Sequence, residues 1–296
     1  MTENEVIIGI TKTTGIIFNE EFPNLKKLEI EPYSISYSKT LPLSLKLLLD
    51  APRILGVIRK ERAQLQQYID QYKIDIVISD NRFGLYNKYV ECVYITHQLN
   101  IDAGWLSGIA NKIHYSYIKC FNTIWVPDFE KDKESLAGTL SRNKALDNVK
   151  YLGPLSRLKP NYQSIERLDY LCLLSGPEPQ RTILEKQLIE IARSSDKRIC
   201  LIRGTVDDLP VEHHEHIAIL KTLSSEQLSM LISNSKTIIC RSGYSTLMDL
   251  HHLQNTNCIL VPTPGQSEQL YLANYWKEKF GAKVLLQKDL DSFSFT

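Results

Sequence analysis

A chain of 296 residues is long enough for two domains of about 150 residues each. With 43% hydrophobic and 23% charged residues, it reads as an ordinary soluble globular protein and not as a disordered one. A formal net charge of +1, with both signs interspersed, excludes the basic excess of a nucleic-acid binder.

In chain order, β-branched runs predict strands over 6–10, 27–30, 74–79, 90–95, 123–126 and 149–152. Further strands follow over 170–174, 198–201, 217–220, 237–240, 258–261 and 282–285. Helical spacing occupies 43–72 and 105–119 in the first half, then 181–192, 225–233, 245–252 and 268–279. Several strands are continuously apolar, as strands buried on both faces are, and their alternation with helices predicts parallel α/β sheets. So many strands exceed one small sheet. Two units are expected, 1–157 and 158–296, joined through Gly153-Pro154-Leu155-Ser156-Arg157-Leu158-Lys159-Pro160, whose Pro, Gly and polar content suits a linker.

No apolar run approaches the roughly 20 residues of a membrane span. The early acids Glu3 and Glu5, with no basic segment ahead of an apolar stretch, read against a signal peptide. Cys92, Cys120, Cys172, Cys200, Cys240 and Cys258 are scattered without CxxC spacing, and most sit beside Val, Ile or Leu. They read as buried thiols in a reducing cytoplasm. His213-His214-Glu215-His216 lies in a polar stretch and reads as a solvated loop in preference to a metal set.

The densest chemistry lies in Ile238-Ile239-Cys240-Arg241-Ser242-Gly243-Tyr244-Ser245-Thr246-Leu247-Met248-Asp249. Here a buried strand enters a Ser-Gly turn and a helix starts at Ser245-Thr246. The first turn of such a helix has unpaired N–H groups and a partial positive charge, which together bind phosphate. Ser245 and Thr246 add hydroxyls, and Asp249, one helical turn on, has the reach for ribose hydroxyls. An ordinary capped helix behind a glycine turn has the same local sequence. Val261-Pro262-Thr263-Pro264-Gly265-Gln266-Ser267-Glu268-Gln269 repeats the form, with Glu268 and Gln269 placed to bond sugar hydroxyls. Leu174-Ser175-Gly176-Pro177-Glu178-Pro179-Gln180-Arg181-Thr182 has it again. Three such turns, Ser175 and Gly176 included, would line the carboxyl edge of one parallel sheet, where α/β folds bind ligands.

The run RSGYSTLMDL followed by VPTPGQSEQLYLA resembles the C-terminal signature of glycosyltransferase family 28, over roughly 151–286. That family includes the MurG-like peptidoglycan N-acetylglucosaminyltransferases and the diacylglycerol glycosyltransferases. Upstream, ISDNRFGLYNKYVECVYITHQLN and YLGPLSR resemble an uncharacterised bacterial subgroup of glycosyltransferases. The resemblance implies the GT-B architecture, α/β with two Rossmann-like domains, the N-terminal one on the acceptor side. It implies a hexosyltransferase that moves a sugar, N-acetylglucosamine by analogy, from a UDP-sugar to an acceptor of unknown identity. Arg241, Gly243, Ser245 and Thr246 would surround the diphosphate, Asp249 the ribose, Glu268 and Gln269 the donor sugar, and the backbone of 223–225 the base. No cofactor is implied, and no metal. Asp207-Asp208 falls in a loop ahead of a proline and no acidic pair adjoins the phosphate turns.

Against the family's pattern, the opening strand, glycine-rich loop with its His, and long helix are missing. Thr11-Lys12-Thr13-Thr14-Gly15 and then Phe22-Pro23-Asn24-Leu25 follow the first strand, as they would the family's second strand. The family's closing helix is likewise not expected in the sequence as far as Thr296. The expectation is a truncated N-terminal domain, whose missing role other residues would take over or, in a non-catalytic nucleotide-sugar-binding protein, a partner subunit would complete.

In the N-terminal half, Asp80, followed by Asn81-Arg82, and His97 stand at strand ends where an acceptor-facing base belongs. Histidine titrates near working pH, and Asp80 would serve if Arg82 positioned it. Both also fit structural roles, as a turn cap and a hydrogen-bonded histidine. Trp105, Tyr115, Tyr117, Phe121 and Trp125 read as core before they read as a sugar platform. Leu43, Leu45, Leu47, Leu48 and Leu49 read as packing against the sheet, with peripheral contact at the inner face of the membrane as the alternative. Two other functions share the expected architecture: a UDP-sugar 2-epimerase and a non-catalytic nucleotide-sugar-binding protein.

Overall fold

The computed structural model describes residues 4–32, 43–102, 104, 107–143, 145–161, 166–205 and 216–296. The chain forms two compact units, one of Met1–Thr96, Gly104–Trp125 and Ala145–Lys150, the other of His97–Ala103, Val126–Lys144 and Tyr151–Thr296. The division is discontinuous, whereas the linker composition points to a single boundary at 157/158.

In the first unit, β1 (Ile7–Ile10) pairs in parallel with β2 (Lys26–Glu29). Between them runs α1 (Lys12–Glu21), a helix the sequence spacing does not predict, because Thr and Gly are weak helix formers. Thr11 starts it by a reciprocal capping box with Thr14. The long α2 (Leu43–Tyr72) buries Ile58, Leu65 and Ile69 and leads to a second sheet. Its order is β3 (Ile76–Asp80), β4 (Glu91–Ile95), β5 (Thr123–Val126) and β6 (Val149–Tyr151). Along β3, Ile76 and Ile78 are exposed while Val77 and Ser79 are buried, so among the described residues one face of it is covered. Phe83 stacks on Tyr94 and on Tyr117, and Phe121 tilts against Tyr94, which joins α3 (Ser107–Ile118) to the sheet.

Arg82, just past β3, donates through Nε to the fully buried Glu61 of α2 at 2.6 Å, and also to the Glu31 carbonyl. Gly84 lies flat on the same carboxylate, and a Cβ there would overlap Glu61 Oε2 and Cβ. Gly84→Ala is therefore expected to lower the stability of this unit by about 2 kcal/mol, as overpacked sites do. A urea midpoint equal to that of the wild type would show that α2 yields freely.

The second unit is one six-stranded parallel sheet with a crossover in its order: β12 (Lys283–Val284), β11 (Cys258–Leu260), β10 (Ser235–Cys240), β7 (Leu168–Leu173), β8 (Ile199–Ile202), β9 (Ile217–Leu220). Alternate side chains enter two cores. Leu171, Cys200, Ile238, Cys240 and Leu260 meet α5 (Ser225–Ser233), α6 (Tyr244–His252) and α7 (Ser267–Phe280). Tyr170, Cys172, Ile199, Ile239 and Ile259 meet α4 (Gln180–Ala192) and the C-terminal Phe295. Both faces are covered, hence the continuous apolar strands. The segment Val126–Lys144 joins this unit because buried Asp128 gathers it. Its carboxylate accepts from Ser135 Oγ at 2.6 Å, Ser141 Oγ at 2.6 Å and the Leu136 amide at 2.7 Å, and Trp276 of α7 donates to the Leu136 carbonyl at 3.0 Å.

All six cysteines are free, and all but Cys120 are buried. Burial pushes the Cys200 thiol up to about 11 and the Cys258 thiol up to about 12, so at neutral pH both behave as small apolar groups. Among the described residues no helix is long and apolar enough to cross a membrane. The side chains of Leu43, Leu45, Leu47, Leu48 and Leu49, the Trp105 ring, Asp207-Asp208, and His213, His214 and Glu215 lie outside the described residues.

Candidate functional site

Three neighbouring strands, β11, β10 and β7, end level with one another, for Cys240 is in register with both Leu260 and Leu173. The three turns singled out from the sequence therefore start at one height on the carboxyl edge of the sheet. They differ in what closes the helix that follows. Gly243 caps α6 without a side-chain bond, and Gln266 caps α7 without one. Their first amides are left for an outside acceptor. At α4 the Glu178 carboxylate already accepts from the Thr182 amide at 3.3 Å. At α5 a Ser224–Gln227 capping box closes the end, at the position where the resemblance implies backbone near the base. Two adjacent open helix ends thus remain, those of α6 and α7.

Among the described residues there is open space beside the glycine at each turn. A Cβ built on Gly243 or on Gly265 would meet nothing within 4 Å. Ser245 is exposed and Thr246 half-buried at the first turn of α6, and Ser175 and Gly176 are exposed at the end of β7.

Arg241, expected around the diphosphate, lies underneath the turns. It is 1% exposed, and its guanidinium donates to the Val261 carbonyl at 3.1 Å, the Pro262 carbonyl at 3.3 Å, the Gln180 carbonyl at 2.9 Å and Gln287 Oε1 at 2.8 Å. One side chain on β10's turn so ties the β11 turn to the start of α4. Gln269 has a similar part. Its Oε1 accepts from the Thr263 amide at 2.9 Å and its carbonyl accepts from Ser242 Oγ at 2.7 Å, which fixes the Pro-Gly turn. Gln287, far along the chain, carries no local signal of this role.

Glu268, on the first turn of α7, is turned to His97. His97 Nε2 lies 2.8 Å from Glu268 Oε1, and the imidazole stacks on the Tyr244 ring with centroids 4.2 Å apart at 11°. Tyr244 in turn donates to the Pro127 carbonyl at 2.8 Å, and burial pushes its hydroxyl above the usual phenol range. All of these residues belong to the second unit, His97 through the short segment His97–Ala103, which Ser267 Oγ also holds by a bond to the Asp102 carbonyl at 2.8 Å. Asp80 lies elsewhere, exposed at the end of β3 in the first unit, and Arg82 beside it is turned to Glu61.

Asp249 sits in the second turn of α6, half-buried, where it accepts from Ser156 Oγ at 2.6 Å. Burial raises its carboxyl above the usual range, against the Ser156 hydrogen bond and the charge of Arg157. Among the described residues no group of three His, Cys, Asp or Glu side chains is set to hold a metal ion.

Residues 181–295 match the model of the glycosyltransferase family 28 C-terminal domain. Solved structures similar to the whole chain have the GT-B fold. Spinosyn rhamnosyltransferase SpnG is 13% identical with a TM-score of 0.64, the match covering 99% of this chain and 83% of that one. SpnG has also been solved complexed with thymidine diphosphate. The calicheamicin glycosyltransferase CalG4 is 10% identical with a TM-score of 0.59, covering 98% and 82%. UGT89C1 from Arabidopsis thaliana, complexed with UDP-L-rhamnose, is 10% identical with a TM-score of 0.57, covering 97% and 80%. At such identities the likeness is one of fold. No curated protein sequence matches the chain. The matched segment includes β10, β11 and the helices α6 and α7, so both open helix ends lie within it.

Proposed function

We propose that the protein transfers a sugar, in the first instance N-acetylglucosamine, from a UDP-sugar to an acceptor hydroxyl. The observation that carries this reading is the pair of adjacent, uncapped helix ends of α6 and α7, open beside Gly243 and Gly265. The amides of the α6 first turn, with Ser245 and Thr246, would hold the diphosphate and stabilise it as it leaves. Asp249 would hold the ribose, and the exposed Ser175–Gly176 turn would flank the phosphates from the β7 side. Arg241 and Gln269 support these groups from below. Glu268 stands between two duties, a contact to the donor sugar and a hydrogen bond to His97.

His97 is the base this reading favours. A carboxylate only accepts hydrogen bonds, so in the neutral imidazole Nε2 carries the proton toward Glu268 and Nδ1 keeps its lone pair. In the transfer step an acceptor oxygen forms its bond to the anomeric carbon and the bond from that carbon to the diphosphate oxygen breaks. The acceptor proton passes to Nδ1, and the electron pair leaves with UDP.

Calorimetric titration with UDP, with ADP and GDP as controls, tests the donor site. Micromolar UDP binding is expected, and Asp249→Asn should weaken it about tenfold, the worth of a lost charged hydrogen bond. The same change should not lower the melting temperature at neutral pH. The folded-state carboxyl is raised, so its ionised form costs stability above that pKa, and the cost vanishes as pH falls through it. Asparagine removes the charge and keeps an oxygen for Ser156. Unaltered UDP affinity in Asp249→Asn would take this residue out of the site.

A further inference from the structure

The β11 turn holds a hydroxyl that no group among the described residues bonds. Thr263 is 2% exposed, and its Oγ1 is buried without a hydrogen-bond partner. Its backbone is satisfied, the amide by Gln269 Oε1 at 2.9 Å and the carbonyl by the Gln266 amide at 3.1 Å. Buried hydroxyls are almost always paired, because an unpaired one loses its water without recompense.

What faces this hydroxyl is the Ser175–Gly176 turn. A Cβ built on Gly176 would lie 3.6 Å from Thr263 Oγ1, with no other heavy atom within 4 Å beyond its chain neighbours. Gly176 has φ +100°, a backbone conformation open to glycine and strained for other residues. β7 and β11 flank β10 and end level with it, so Thr263 and Gly176 approach one another across the β10 turn from which α6 starts. Beneath that turn lies the Arg241 guanidinium, whose hydrogen-bond partners are three backbone carbonyls and an amide oxygen, all neutral. An unpaired donor and the open end of a helix, over a cation with neutral partners, suit a negatively charged acceptor. An uncharged sugar hydroxyl would complement the first of these alone.

We infer that the Thr263 hydroxyl is a donor reserved for a phosphoryl oxygen of the nucleoside diphosphate, admitted past the side-chain-free face of Gly176. This rests on the donor reading above and adds to it a residue that the sequence motifs do not single out.

Three full-length proteins test it: wild type, Thr263→Val, which keeps the shape and loses the hydroxyl, and Thr263→Ser, which restores it. Calorimetry with UDP should show roughly a tenfold loss of affinity in the valine variant and recovery in the serine variant. The ligand-free valine variant should melt no lower than wild type, and is expected to melt higher, because an orphaned hydroxyl has gone. Equal UDP affinity in wild type and Thr263→Val would overturn the inference. So would a loss seen with UDP-N-acetylglucosamine and absent with UDP, which would give the hydroxyl to the sugar. A lower melting temperature of ligand-free Thr263→Val would mean that the hydroxyl already has a partner. Wild-type protein that binds no UDP would remove the donor reading itself and this inference with it, and that result precedes any variant.

Discussion

Arg241→Ala is expected to destabilise the second unit by about 4 kcal/mol, at the upper end for a single substitution. The loss has two sources. Four acceptors, the carbonyls of Val261, Pro262 and Gln180 and the Gln287 amide oxygen, lose their donor in a site that water does not reach. A long side chain also leaves a cavity among turns whose own glycines and prolines offer little to fill it. Working against this is the relief of a buried charge, for burial pulls the guanidinium down to about 10. A base whose folded-state pKa is lowered costs stability at every pH below that value, and the cost is relieved only as pH rises through it. The Arg241 penalty is therefore constant across neutral pH, and a pH scan there will not reveal it. Arg241→Met, which removes the charge and keeps most of the volume, should lie between alanine and wild type. UDP affinity should fall in parallel with stability, since the same side chain sets the spacing of the β11 turn and α4. A variant that stays as stable as wild type and loses UDP binding would reverse the assignment and restore Arg241 to direct contact with the diphosphate.

That reversal would return to what the sequence suggests, which shows where sequence reading stops. The strand–turn–helix order around 238–249 and 258–269 follows from local patterns: continuous apolar strands, Gly and Pro turns, helical spacing. The carboxyl-edge placement of the three turns follows from parallel topology. Which side chains at those turns face a ligand does not follow, because it depends on partners remote in the chain. Arg241 is turned inward by Gln180 and Gln287. Gln269 is drawn to the Thr263 amide, and Glu268 meets a histidine 171 positions away. Nothing local distinguishes α5, closed by its own Ser224, from α6, left open by Gly243, except the capping residue itself, and that signal is readable. The second unit also takes in the segments His97–Ala103 and Val126–Lys144, which no linker composition marks. Their attachment rests on Asp128, Trp276 and Ser267, residues whose partners come into reach only in the folded chain.

The second large effect concerns the histidine so captured. His97→Ala is expected to lower the release of UDP from UDP-N-acetylglucosamine, with water as the acceptor, about a thousandfold, within the range of a lost general base. UDP affinity should stay within a factor of about two, because neither ring nitrogen is needed to hold a diphosphate. The imidazole is held on two sides, by the carboxylate on the first turn of α7 and by the face of Tyr244 on the first turn of α6. In the proposed donor site the two helices with open ends would thus also orient the base, which would tie proton removal to the place where charge develops on the leaving group. Glu268→Gln separates its two duties. If its work is to orient His97, kcat falls and KM for the donor is retained. If its work is to hold the donor sugar, KM rises and kcat is retained. Asp80 provides the contrast, exposed at the end of β3 in the other unit. Turnover that survives His97→Ala and disappears in Asp80→Asn would move the base to Asp80, and would leave the His97–Glu268 pair as a clasp that holds the His97–Ala103 segment against α7.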